Sequence, residues 1–263
     1  MDPKDETREL IEVADGYARE KQYDKAILLL LQAIEIDPKY CPTRLKLASA
    51  YNIIGEYEAA IKQITIALKK RQKDDPYPEG YYKLLLIGSY NRKKDYKMVI
   101  KTTNQIIKQN PLYNEAIFIL AGEAYFELKN FKEMSAILKK GLEYFPNSVS
   151  IRAYLGIAYH NLGDSTDAAN ALKDALENCP NDADNLIFVG FAHCRVNKAD
   201  IGLDLMNQAI QMSPDNAMYY GYLAKAYQTL GDIPNALNAL DKVISLSPDA
   251  AAKEFKKELE SCK

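Results

Sequence analysis

The sequence predicts an all-α chain of seven repeats closed by a short C-terminal helix, and three spacings carry that reading. Prolines stand at Pro38, Pro111, Pro146, Pro180, Pro214 and Pro248, the last four 34 residues apart. Counting back 21 residues from each reaches a ring-bearing residue: Tyr17, Tyr90, Tyr125, Tyr159, His193 and Tyr227. Tyr51 falls in the same register, 34 residues after Tyr17, in a repeat without its proline. Small residues keep the third spacing. They lie three before the ring position at Ala14, Ala48, Gly122, Gly156, Gly190 and Ala224, and nine after it at Ala26, Ala60, Ala168, Gly202 and Ala236. Small side chains let two helices approach closely, and the ring fills the space between neighbouring repeats.

In chain order the repeats span 7–40, 41–79, 80–114, 115–148, 149–182, 183–216 and 217–250. Repeat one holds the longest apolar run, AILLLL at 26–31, too short to cross a bilayer. Repeat two holds GEYEAAIKQITIAL at 55–68, but Gln72 replaces its proline, and RQKDDPYPEG at 71–80 adds five residues before the next repeat. Repeat three places Ile87, Val99 and Ile106 where small residues usually sit. Larger side chains at close-contact positions push helices apart, so an extended second helix in repeat two and an irregular joint near 71–80 are expected. Repeats four, five and seven return to the motif as KNFKEMSAILKKGL at 129–142, GDSTDAANALKDAL at 163–176 and GDIPNALNALDKVI at 231–244. Repeat six carries FVGFAHCRVNKAD at 188–200 as a divergent form. The last segment, AAAKEFKKELESCK at 250–263, reads as a polar-faced capping helix, which a solenoid needs at its end. The organisation is therefore 1–79, 80–250 and 250–263.

YLGIAYHNLGD at 154–164 and YLAKAYQTLGD at 222–232 match an L-G/A-x2-Y core on a 34-residue unit. On these residues the chain resembles the tetratricopeptide repeat (TPR) family over nearly its whole length. The leading Trp of that pattern is replaced by Leu10, Arg44, Lys83, Phe118, Arg152, Leu186 and Tyr220. The resemblance implies a right-handed α-solenoid of helix–turn–helix units whose first helices line a concave groove for a peptide or a partner helix. It also implies which positions face that groove: Asn52, Tyr81, Asn91 and Arg92, then Phe126, Glu127, Ile157, His160, Asn161, Phe191, Arg195 and Lys225. Phe126, Ile157, Ile187 and Phe191 are expected to expose an apolar centre, with Asn91, Arg92, Asn161 and Arg195 as donors around it. That mixture suits a segment anchored by its side chains and held by its backbone or a carboxylate. Aspartate at Phe126 and Phe191 is expected to abolish binding with the fold intact. A chaperone-docking carboxylate clamp is not expected, because its Lys and Asn positions hold Ile11 and Asp15, Leu45 and Ser49, or Ala153 and Ile157. The Asn ladder of sugar-transferring relatives is missing too, with Lys46, Leu85, Tyr154 and Phe188 in its places.

Composition narrows the partner. A net charge of −2 and a pI near 5.9 lack the positive excess that phosphate contacts require, so no nucleic-acid partner is expected. The cluster Lys69, Lys70, Arg71, Lys73, Arg92, Lys93, Lys94, Lys97 and Lys101 reads as a solvated joint, with Asp74, Asp75 and Asp95 interspersed. Cys41, Cys179, Cys194 and Cys262 form no CxxC pair and read as free thiols of a reducing compartment. His160, Cys179, His193 and Cys194 divide between groove, helix end and packing site, which is poor geometry for a metal or a nucleophile. No phosphate-cradling, dinucleotide-binding, GxSxG or HExxH motif occurs, so neither catalysis nor a cofactor is expected. No membrane insertion is expected, since no stretch approaches 18 uninterrupted apolar residues. The expectation is a cytoplasmic protein, or the trimmed soluble part of an anchored or exported one. Its function reads as a protein–protein interaction scaffold or adaptor that binds a peptide or helix in its groove to help assemble a complex, with self-association also open to it. The alternative is a peptide-sensing regulatory module of a longer signalling system.

Overall fold

The computed structural model describes residues 3–73, 75–179 and 181–261. Asp74, Pro180, Cys262 and the last residue of the expected capping segment lie outside the described residues. The described residues form fifteen α-helices and no strand. Helices α1 (Pro3–Arg19), α2 (Tyr23–Ile36), α3 (Cys41–Ile54) and α4 (Tyr57–Lys70) make the first two pairs. Helices α5 (Glu79–Arg92) and α6 (Tyr96–Gln109) follow, and α7 (Ala116–Glu127) packs with α8 (Phe131–Tyr144). Then come α9 (Val149–Leu162), α10 (Ser165–Glu177), α11 (Ala183–Arg195), α12 (Ala199–Met212), α13 (Ala217–Thr229), α14 (Ile233–Leu246) and a final α15 (Ala250–Glu260). Two compact units result. The first runs to Met98 and takes in Pro248–Ala251; the second comprises Val99–Ser247 and the residues from Ala252 onward.

One backbone device makes the turn inside every pair. Four residues after the ring position the chain is left-handed at Lys21, Gly55, Lys94, Lys129, Gly163, Asn197 and Gly231, with φ between 55° and 89°. The next residue returns its N–H to the carbonyl of the ring residue, as in Gln22 to Tyr17 (2.8 Å), Asn130 to Tyr125 (2.9 Å) and Lys198 to His193 (2.9 Å). This bond satisfies a carbonyl that the helix end leaves open. A side chain in that conformation is strained where glycine is not. Lys129→Gly is therefore expected to raise stability by about 1 kcal/mol, read as a higher urea midpoint; a lower midpoint would contradict the strain.

Small residues bring the helices of a pair together, as their spacing predicts. In the first compact unit Ala14 and Ala26 lie in one buried cluster with Ile27 and Leu30, and Ala48 and Ala60 lie in another with Ile64 and Tyr82. In the second, α11 and α12 cross at Gly190 and Gly202. A methyl group added at Gly190 would lie 2.7 Å from the Gly202 carbonyl oxygen, so no side chain larger than hydrogen fits there. Gly156 packs in the same way against Leu172, and Gly141 against Phe118.

The joint corrects one expectation. Helix α4 is 14 residues long, like α2, α3 and α5, and is not extended. The extra residues form a link instead, because Pro76 and Pro78 lack an N–H and disfavour helical backbone in the residue before them. Asp75 pins this link by accepting from the buried Tyr82 hydroxyl (2.7 Å) and the Tyr77 N–H (3.0 Å), and Arg71 donates to the Tyr77 carbonyl (3.4 Å). At the other end of the chain α15 buries Ala252 and Leu259 and holds Asp241 of α14 through Lys256 (2.5 Å).

Candidate partner-binding surface

The first helices of four successive pairs, α7, α9, α11 and α13, pack side by side in the second compact unit. Side chains from their common face meet. Glu123 of α7 accepts hydrogen bonds from the hydroxyls of Tyr154 on α9 (2.7 Å) and Tyr222 on α13 (3.2 Å). Phe188 and Phe191 of α11 meet the Tyr222 ring edge to face, with centroids 5.3 and 5.1 Å away, a preferred aromatic geometry. Tyr154 lies 6.3 Å from both phenylalanines. Burial, with the Glu123 charge adding to it, pushes the Tyr154 and Tyr222 hydroxyls well above their ordinary range, so both stay protonated and donate.

Arg195, at the last turn of α11, lies over this hub. Its guanidinium is 4.5 Å from the centre of the Phe126 ring and 5.0 Å from that of Phe191, which fixes the planar group by cation–π contact on two rings. No oxygen among the described residues forms a hydrogen bond or ion pair with it. Burial pulls its pKa down, while the nearby Glu127 carboxylate opposes that most strongly. Glu127, His160 and Asn161 are exposed at the C-terminal ends of α7 and α9, and Lys225 reaches over the Tyr222 ring at 5.7 Å. Asn161 spends one N–H on the Ile157 carbonyl (2.8 Å).

The expected apolar centre is not open. Ile157 is 1% exposed, Ile187 0% and Phe191 4%. Glu123 and Tyr222, from helices at the two ends of the row, meet across the same face. Aspartate at Phe191 would therefore unfold the hub, and only Phe126 and Arg195 are suited to a binding test. Tyr154, Phe188 and Tyr222 were absent from the candidate residues, although they sit five before the ring position and 34 residues apart, an aromatic recurrence the sequence displays.

In the first compact unit the candidates do other work. Asn52 donates to the Ser89 hydroxyl (2.9 Å), and Tyr81 stacks on Tyr77 with centroids 4.7 Å apart. Asn91 is partly exposed, and Arg92 pairs with Asp249 of the Pro248–Ala251 segment. The basic joint is partly neutralised, with Lys93 3.0 Å from Glu58.

The His and Cys residues divide as their register implies. His193 is buried, and its Nδ1–H donates to the Val189 carbonyl (2.9 Å), since a carbonyl only accepts. Burial lowers the pKa of this imidazole and raises that of the Cys194 thiol to about 11, so neither is poised for chemistry. His160 is exposed on α9. Among the described residues no group of three His, Cys, Asp or Glu side chains could hold a metal ion, and no helix is long and apolar enough to cross a membrane.

A row of first helices carrying a ring-pinned cation, backed by second helices packed through small residues, defines a repeat scaffold of the protein-interaction class. The fold is that of a tetratricopeptide repeat solenoid. The profile of that repeat matches residues 13–40, and the profile of the ChAPs (Chs5p-Arf1p-binding proteins) matches residues 125–247. Among solved structures, a tetratricopeptide repeat protein from Parabacteroides merdae is similar over 97% of this chain and 97% of its own, at 18% identity and a TM-score of 0.62. A crystal structure of MamA protein shows 19% identity over 66% of this chain and 92% of its own, with a TM-score of 0.56. MamA 41-end from Desulfovibrio magneticus RS-1 shows 16% identity over 66% of this chain and 95% of its own, at 0.55. At such identities the likeness is one of fold. No curated protein matches the chain.

Proposed function

We propose that the chain is an adaptor that holds a segment of a partner protein at the rim formed by Phe126, Glu127, His160, Asn161, Arg195 and Lys225, and so helps assemble a multiprotein complex. The observation that carries this reading is the Arg195 guanidinium, held over two rings with no protein acceptor among the described residues. A stacked guanidinium has lost rotamer freedom before a partner arrives, and its N–H edge suits carbonyl or carboxylate oxygens. The filled centre directs the partner to the rim and not along the middle of the face. The similarity to Chs5p-Arf1p-binding proteins spans Arg195, and those proteins are named for binding Chs5p and Arf1p, which supports a protein as the ligand class. The buried thiols of Cys41 and Cys194, outside any disulfide, support a cytoplasmic setting.

Panning a displayed random-peptide library on the full chain tests this. Peptides recovered on the wild type should lose affinity about tenfold or more, about 1.4 kcal/mol, on Arg195→Gln and on Phe126→Ala, with unchanged far-UV circular dichroism. Equal binding by both variants would place the site elsewhere.

A further inference from the structure

The first helix pair departs from the others at the positions that face a preceding pair. Val13 lies four residues before its ring position and is 47% exposed. The same position in the other repeats is Leu47, Leu86, Ala121, Leu155, Val189 and Leu223, none more than 9% exposed. In the first compact unit the cover is a second helix: Leu47 shares a buried cluster with Leu30 and Ala33 of α2, and Leu86 one with Ile64 and Ala67 of α4. The face around Val13 thus has the geometry of a helix-receiving surface and no helix on it among the described residues. Leu10, Val13 and Leu29 line an open cavity of about 400 Å³ there, with Glu6 and Glu9 at its edge.

Helix α2 shows a second departure. Leu28 and Leu31, 62% and 37% exposed, lie one turn apart on its outer stripe. The position of Leu31 is polar in every other repeat, as Thr65, Asn104, Lys139, Lys173, Asn207 and Asp241. Repeat one therefore carries apolar side chains where its siblings are polar, beside a Val13 position that its siblings bury. Apolar surface of this kind, rimmed by charge, marks an interaction site.

We infer that the α1–α2 face is a second docking surface, and that its occupant is an amphipathic helix of a partner protein, with a Leu/Ala stripe flanked by Lys or Arg. The helical form follows from what covers the equivalent positions at Leu47 and Leu86. The basic flank follows from charge: Glu6, Glu9 and Glu12 are exposed on α1, while the exposed Arg8 is paired with Asp5 at 3.8 Å. The same charges oppose a second copy docking by this face, since two acidic rims would meet. The surface shares no residue with the Arg195 rim and does not depend on it.

The probes are two synthetic peptides of about 18 residues, long enough to hold a helix, that share one Leu/Ala stripe and differ in Lys or Glu flanks. By fluorescence anisotropy at low salt, the full chain should bind the Lys peptide at least about tenfold tighter than the Glu peptide. Val13→Glu should abolish that binding although it adds negative charge, so non-specific attraction cannot imitate the result. Glu6→Lys with Glu9→Lys should reverse the preference between the peptides. Circular dichroism checks the fold of both variants, and exposed positions tolerate these changes. Undiminished Lys-peptide binding by Val13→Glu, or an unchanged preference in the charge-reversed chain, would overturn the inference. So would self-association of the wild type that Val13→Glu removes, because the occupant would then be a second copy.

Discussion

Gly202→Val is expected to lower the stability of the second compact unit by about 3 kcal/mol, near the upper end of the cost of overpacking a close-packed interior. A methyl group at Gly202 would lie 2.4 Å from the Cys194 Sγ, 2.6 Å from the Gly190 carbonyl oxygen and 2.8 Å from the Cys194 nitrogen. Two of those atoms are backbone, so no rotamer change relieves the contact. Helices α11 and α12 have to separate, and the hub loses the support under Phe188 and Phe191. The control is Gly221→Ala on α13, where nothing lies within 4 Å of the added methyl. Alanine there should gain about 0.5–1 kcal/mol through helix propensity. Urea unfolding followed by circular dichroism reads both, and a Gly202→Val midpoint equal to wild type would show that the helices do not meet at these glycines.

The second large effect concerns the hub. Glu123→Leu removes the acceptor shared by two tyrosine hydroxyls, one of them fully buried, and leaves them only the long 3.5 Å contact with each other. A buried hydroxyl without its partner costs about 1–3 kcal/mol, and with two affected the variant should lose about 3 kcal/mol. The same hub sets an alkaline limit. Both hydroxyls have folded pKa values raised well above the ordinary 10.0. Their contribution to stability is thus fully present below about pH 10 and is lost as pH rises through the folded values. In a spectrophotometric titration Tyr154→Phe should remove one tyrosinate that appears only with unfolding; its loss from the early, reversible part of the curve would contradict the burial.

Much of this architecture was legible in the sequence because each repeat must solve the same packing problem with the same residue types. Tyr17 to Tyr227, Ala14 and Gly190 announced the helix pairs through sterics alone. Bulk at Ile87 and Val99 points to a longer α4, but Pro76 and Pro78 exert the stronger local veto on helix. The left-handed turn was visible at Gly55, Gly163 and Gly231 but hidden at Lys21, Lys94 and Lys129, where tertiary packing overrides a lysine's preference. The surface was harder to read. Position in the repeat places Phe126 and Glu127 on α7 and Arg195 on α11, yet Ile157 and Phe191 are buried, and Glu123 of α7 meets Tyr222 of α13 across the same face. Those contacts depend on how tightly four helices curve together. No single repeat encodes that quantity.

Hydrogen–deuterium exchange of the full chain, with and without a peptide selected on it, tests the central claim most directly. Binding at the Arg195 rim should slow exchange at the C-terminal ends of α7, α9 and α11, around 124–127, 158–162 and 192–195, and leave the second helices α8, α10 and α12 unchanged. Protection confined to those second helices would contradict it.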